Sequence, residues 1–491
     1  LAALAPGARG GCYFAKQFCN IGTKVHTITI TQAWAWREVS YRIAQLLLLV
    51  GIISLPLSSY WTSKILIAAM AFVILSGNWA EKWQIIKSQR AAWCVLALYL
   101  IMLIGVFYSR GTLKATLHGF NQYNKILYFI FFLPLCTQQK IRDQLINIYL
   151  FSIVISMIMV IGNYGNQPLI NAIDSSFLIG FASYIALRNF LDGGSLRWFY
   201  GIIFIFIAGY LLFYNIERTG YVVFFGAIVT LFWQYFGWRG LLIGGGVIMG
   251  LAGSLYSLNP TFKARIDLGA HEARGYFSSE VKASRALALR WGLYTDWGWR
   301  KRQLTMMPLE AGKIFLPIEL NIDLYNYYLE KQGMVVEQRW LFRPHADIHG
   351  SSIGLRLGFA QYSWLEIKKH PWIGNGTGSF TDVYRAGGGP TIEGQYLPHP
   401  HNEYILMWFQ YGIVGLIFFL LWQLIIWHES FKLPRKEGAL LQCLLVCFAL
   451  LGFCNASFSV NPAGNVFILF TAVLLAAKIS DTRRGSQWTS R

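Results

Sequence analysis

The sequence predicts an all-α integral membrane protein of about twelve transmembrane helices, with one long loop between the ninth and the tenth. Three observations lead there. Of 491 residues, 55% are hydrophobic and only 13% charged, a balance foreign to water-soluble domains. The apolar runs last roughly 15 to 20 residues, the length a helix needs to cross a ~30 Å hydrocarbon core. No period-two alternation of the barrel kind runs through them, so the spans are helices and not strands.

In chain order the apolar runs lie near 43–60, 64–78, 91–108, 126–137, 145–162, 176–191, 198–214, 220–237, 240–257, 405–427, 438–455 and 463–478. The fourth is short, because Lys125 and the Pro134/Cys136 region crowd it, and it reads as a missing or re-entrant span. The chain divides accordingly into an N-terminal segment 1–42, helices one to nine over 43–257, a polar stretch 258–404, helices ten to twelve over 405–478, and a tail 479–491. Leu1 to Gly11 is small, apolar and turn-rich, without the basic start and continuous apolar core of a signal peptide; it reads as a gene-start artefact with no function assigned.

Short loops fix the orientation through Lys and Arg. With a cytoplasmic N-terminus, the inner loops hold Lys82, Lys87 and Arg90; Lys140 and Arg142; Arg188 and Arg197; Arg239; and Lys432, Arg435 and Lys436. The two ends add Arg37, Arg42, Arg483 and Arg484. The opposite connections from Gly162 to Ser175 and from Asn455 to Gly464 carry neither Lys nor Arg. Arg110, Lys114 and Lys125 dissent, and that stretch reads as amphipathic and interfacial or else functional. On this topology the polar stretch 258–404 is extracytoplasmic.

The net charge of +19 is mostly this topology signal. Its dispersal among loops argues against a nucleic-acid partner, which needs a continuous basic groove. Cys94, Cys136, Cys443, Cys447 and Cys454 lie in or beside spans, Cys12 and Cys19 lie in the N-terminal segment, and the long loop has none. No disulfide framework follows. Cys443 and Cys447 share a helix face but lack a nearby His or carboxylate, so they read as small packing residues, and no metal site is expected.

Three features fall on the outer side. Arg218, in Glu217-Arg-Thr-Gly220, is held between two helix ends close to the membrane plane and keeps its charge. It is either an anion ligand or a snorkelling anchor paired with Glu217. Arg356 sits in the first turn of a helix expected over 354–369, with Leu355, Phe359, Tyr362 and Leu365 on one side. The following Pro371-Trp-Ile-Gly-Asn-Gly-Thr-Gly378 is either a plain turn or a loop whose amides face an anion, and it lacks the Lys and Ser/Thr of a Walker loop. His401, in Leu397-Pro-His-Pro-His-Asn-Glu-Tyr-Ile405, heads span ten as either an interfacial cap or a proton acceptor.

His401-Asn402, nine residues, Gly412, two more, then Gly415 is similar to the signature of the O-antigen ligase family and its superfamily of lipid-linked-glycan transferases and polymerases. Arg218 and Arg356 resemble that family's two essential arginines, and the resemblance covers roughly 43–478. It implies a metal-independent, inverting glycosyltransferase of the C-type membrane architecture in the bacterial inner membrane, without cofactor, its active site facing the periplasm. The implied donor is a glycan on undecaprenyl diphosphate, the acceptor a sugar hydroxyl of the lipid A core, and the process lipopolysaccharide biosynthesis. It implies that His401 serves as base or acceptor-orienting group and that Arg218 and Arg356 bind diphosphate, with Asn402, Gly412 and Gly415 in support.

His399 is a second candidate base, and Pro400 between the two limits rearrangement. Residues 274–350 match no motif of the family; Lys282, Arg285, Arg290, Arg300, Lys301 and Arg302 there suit core phosphates or outer-leaflet headgroups, or simply a solvated face. Acceptor choice resides in loop shape. An O-antigen polymerase or a protein O-oligosaccharyltransferase therefore stands second to the ligase. A lipid-linked glycan transporter stands third, because the span centres carry almost no charge and no internal repeat is evident. Nothing in the sequence fixes the oligomeric state.

Overall fold

A computed structural model describes residues 36–162, 170, 172–214, 217–277, 352–387, 398–459 and 461–479. Among them the regular elements are helices, without strands. α1 covers 36–54, α2 Ser59–Leu75, α3 Trp79–Lys87 and α4 Arg90–Phe107. A broken stretch follows: α5 Leu113–Tyr123, a 3-10 turn Asn124–Ile126, α6 Leu127–Phe132 and a second 3-10 turn Leu133–Cys136. Then come α7 Gln139–Gly162, α8 Ala172–Leu191, α9 Arg197–Gly209 with a π turn Tyr210–Tyr214, α10 Arg218–Phe236 and α11 Trp238–Leu258. The polar stretch is helical where described, as α12 Pro260–Phe277, α13 Ser352–Lys369 and α14 Phe380–Ala386. α15 Glu403–Ser430, α16 Arg435–Cys454 and α17 Asn461–Leu475 complete the chain.

Among the described residues eight helices are long and apolar enough to cross a membrane, or nine if α2 and α3, bent by 116°, form one broken span. The expected twelve is not confirmed by length and composition, and three of the expected runs depart from a plain apolar helix. α1 carries Arg37, Glu38 and Arg42 near its start. The fourth run is broken as its crowding suggested, and Phe129, Phe132, Leu133 and Leu135 are fully buried there. α8 buries Asp174, Ser176, Ser183 and Arg188 among other helices, and a helix walled in by protein need not be apolar all round.

Burial separates the centre from the lipid-facing rim. In the span Pro462–Ile479, 94% of residues are buried, against 11% for α11. The central packing is aromatic: Phe448 stacks on Phe467 with centroids 3.8 Å apart, and Tyr149 and Phe181 both meet Phe470. Close-packed rings of this kind supply dispersion contacts that the hydrophobic effect cannot supply between helices in lipid.

The two ends of the bundle differ. At one end basic loops are tied to acidic partners: Arg142 to Glu437 at 3.3 Å, both buried, Lys436 to Asp143 at 3.2 Å, and Lys432 and Lys478 to Glu429. Arg188 joins Asp192 at this end, which in turn accepts from Tyr235. These groups belong to the loops assigned to the inner side by their charge. The opposite end carries α12 to α14 and the outer features. Residues 1–35, the basic residues from Lys282 to Arg302, and Arg483 and Arg484 lie outside the described residues.

Candidate active site

α13 begins at Ser352, so Arg356 stands in its second turn and not its first. The buried face of α13 is Phe359, Ser363, Glu366 and Ile367, while Leu365, expected inside, is exposed. The cause is what packs on it: α14 and the start of α15 present Phe380, Tyr384, Leu406 and Phe409 to Phe359 and Ile367. Arg356 lies one turn before Phe359, and the Phe359 ring stacks on the His401 imidazole with centroids 6.2 Å apart.

His401 adopts a left-handed conformation, φ 53°, which is unusual outside glycine and turns the chain into α15. Its own amide donates to His399 Nδ1 at 3.4 Å. Asn402 then caps α15, accepting from the Ile405 amide at 3.0 Å and donating to Phe453 O at 3.3 Å. His401 Nδ1 lies 3.2 Å from Asn455 Oδ1. Burial, and then the Arg356 charge, push His401 down to about 4. Burial and the neighbouring His401 push His399 down to about 3. Both imidazoles are therefore neutral near pH 7.

Arg218 is the first residue of α10, after Glu217 as N-cap. A cation at that position opposes the helix dipole, so an anion arriving there meets a guanidinium at the positive end of the helix. The next residue, Thr219, lies beside the Cys454 thiol, and the Arg356 charge reaches the same cysteine. Tyr221, one turn into α10, meets Phe262 of α12 at 5.0 Å, and α12 packs on α13. Three features remote in sequence thus meet at one end of the bundle around residues 454–455. Sequence reading missed Asn455 and Cys454; the available signal was a polar residue ending an apolar run.

Gly412 and Gly415 do not join this group. Gly412 breaks α15, with φ 65° and ψ −168° inside the helix. The break frees the Phe409 and Gln410 carbonyls, which accept from the Asn375 and Gly376 amides at 2.9 and 2.8 Å. In return the Ile413 amide donates to Pro371 O at 2.8 Å. A Cβ on Gly412 would sit 2.1 Å from the Trp372 carbonyl, so only glycine permits this approach. The glycine loop is consequently an architectural plug. The Gly374, Asn375, Gly376, Thr377 and Ser379 amides are all bonded within the protein and none of these faces an anion. Arg110, the dissenting outer charge, braces the same loop through His370 Nε2 at 2.7 Å and Asn375 Oδ1 at 3.2 Å. Lys125 is buried and donates to Ser459 O at 3.1 Å.

Among the described residues no group of three or more His, Cys, Asp or Glu is placed to hold a metal ion. Residues 203–420 match the family model described as O-Antigen ligase, a span that encloses Arg218, Arg356, His399, His401, Asn402, Gly412 and Gly415. Over that span, which is under half of the chain, the sequence is similar to the O-antigen ligase superfamily. Members of this superfamily are glycosyltransferase-like enzymes, ligases and polymerases, and the apolar helices make this one a multi-pass membrane protein. No curated protein matches the chain.

Proposed function

We propose that this protein is a ligase of that superfamily, transferring a glycan from undecaprenyl diphosphate to a sugar hydroxyl of the lipid A core on the periplasmic side of the inner membrane. The observation that carries the reading is His401, seated at the start of α15 between Asn455 and the Phe359 ring of the helix that carries Arg356. Departure of the diphosphate develops negative charge, and two guanidiniums fixed in place stabilise it. The acceptor hydroxyl gives its proton to His401 as its oxygen bonds the anomeric carbon from the face opposite the leaving group, which inverts the configuration. Holding both lipid-anchored substrates together removes much of the entropic barrier.

The same geometry couples donor binding to basicity. Burial is the larger cause that depresses His401 and the Arg356 charge the smaller; a diphosphate on Arg356 offsets the smaller one, so the imidazole becomes a somewhat stronger base when the donor is present. The test supplies undecaprenyl-diphosphate glycan and purified lipid A core to the purified protein. Capped lipopolysaccharide is expected. Longer glycan on the carrier with the core untouched would make the protein a polymerase, and glycan on protein Ser or Thr an oligosaccharyltransferase.

A further inference from the structure

The segment after α16, residues 455–459, lies outside the span matched to the family and carries no Lys or Arg, yet it touches His401 and the head of α15. Asn455 is 2% exposed and ends α16 in an extended conformation, its amide bonded to Leu451 O at 2.8 Å. Three residues on, the Phe458 amide donates to the buried Glu403 Oε2 at 2.7 Å, and the Ser459 carbonyl accepts from the buried Lys125 at 3.1 Å. The Phe458 ring is fully buried among Tyr123, Phe419, Trp422 and Phe448. The Asn455 side chain is thus carried on a backbone fixed by two buried ionisable groups and an aromatic plug.

What that side chain does to His401 follows from donor and acceptor inventory. The Asn455 Oδ1 atom only accepts, so the His401 Nδ1 atom 3.2 Å away must carry a hydrogen. In a neutral ring this leaves Nε2 with the lone pair. We propose that Asn455 is a positioning residue for glycan transfer, locking His401 in the Nδ1–H tautomer so that Nε2 faces the acceptor as the base. The inference rests on His401 being that base. In the step, the hydroxyl proton moves to Nε2 while the oxygen bonds the anomeric carbon, and the electron pair of the breaking C–O bond leaves on the diphosphate. The Nδ1 proton never moves; its bond to Asn455 strengthens as the ring becomes cationic. His399 has a different task, since its Nδ1 accepts from the His401 amide and stabilises the left-handed turn.

Among the described residues, the other charged or titratable groups acting on the His401 ring are Arg356 from α13 and His399 from its own segment, while Cys454 at the end of α16 shares the Arg356 charge. None of them offers Nδ1 a neutral acceptor in the way Asn455 does. An aspartate at 455 would keep the tautomer and add a negative charge, whereas a leucine would remove the acceptor with little change in volume.

The test reads tautomer and rate separately. Nitrogen NMR of histidine-labelled protein near pH 7, with His401→Ala to assign the signal, should find His401 protonated on Nδ1. Asn455→Leu should shift that population toward Nε2–H and lower kcat by roughly 10- to 100-fold with donor KM little changed. Asn455→Asp should keep the Nδ1–H form, retain most of the rate, and move the acid limb of the rate profile to higher pH. An Nε2–H form in the unmodified protein, or an Asn455→Leu variant with unaltered rate and tautomer, would overturn the inference while leaving the ligase reading in place. Full transfer by His401→Ala would instead remove the base itself, whatever the tautomer.

Discussion

At the scale of single residues, the site separates groups that touch substrate from groups that aim them. His401→Ala should retain the folded, inserted protein and lose about 10²- to 10⁴-fold in transfer, the usual contribution of a positioned base; transfer assays beside a size-exclusion profile check it. Arg218→Lys or Arg356→Lys keeps charge but loses the planar fork, and each lost charge-assisted bond of ~1.5 kcal/mol costs about tenfold in turnover. The pH dependence has a definite sign. In the free protein His401 stays a base down to about 4, so kcat/KM should hold well below the ordinary histidine range. With donor bound on Arg356 the ring recovers basicity, so the acid limb of kcat should lie at higher pH than that of kcat/KM. Coincident limbs near 6.5 would deny the coupling. His401 and the two arginines could be singled out in the sequence because their motif spacing and loop positions are local properties. Asn455 could not, because its role depends on a contact across 54 residues that only folding makes.

At the scale of elements, the exchange of hydrogen bonds between the broken α15 and the loop 370–379 sets the precision of the site. Gly412→Ala should be severely destabilising, since a left-handed φ costs about 1–3 kcal/mol for other residues and the new Cβ would overlap Trp372. Gly245→Ala in α11 is the matched control: nothing lies within 4 Å of its Cβ, and helix propensity alone predicts a gain of roughly 0.5–1 kcal/mol. Thermal unfolding in detergent distinguishes the two, and similar midpoints would contradict the plug. The sequence placed the glycine loop correctly but left its purpose open, because a glycine that approaches an anion and one that approaches a helix carbonyl have the same residue pattern. Phe359 is buried as expected while Leu365, expected on the same side, is exposed, since the partner that selects the face comes from α14 and α15.

At the scale of the molecule, charge polarises the bundle into one end rich in ion pairs and one end that holds the site. If the ion-paired end is cytoplasmic, a cysteine replacing Lys114 should react with a membrane-impermeant maleimide added to the periplasmic side, and one replacing Lys436 only after the membrane is opened; the reverse pattern would invert the topology. The helical class was readable from composition, while the count of twelve spans is not confirmed, because α8 and the broken stretch from α5 onward bury polar groups inside protein, where hydropathy has no say. α15 runs between the two ends, from His401 through the break at Gly412 to Glu429. The nine residues Glu403 to Tyr411 therefore act as a phase gauge: one added residue would swing the imidazole about 100° around the helix axis and lift it ~1.5 Å relative to the plugged break. The fixed interval between the His-Asn pair and its glycine is an angular specification, written in residues, of which way the base points.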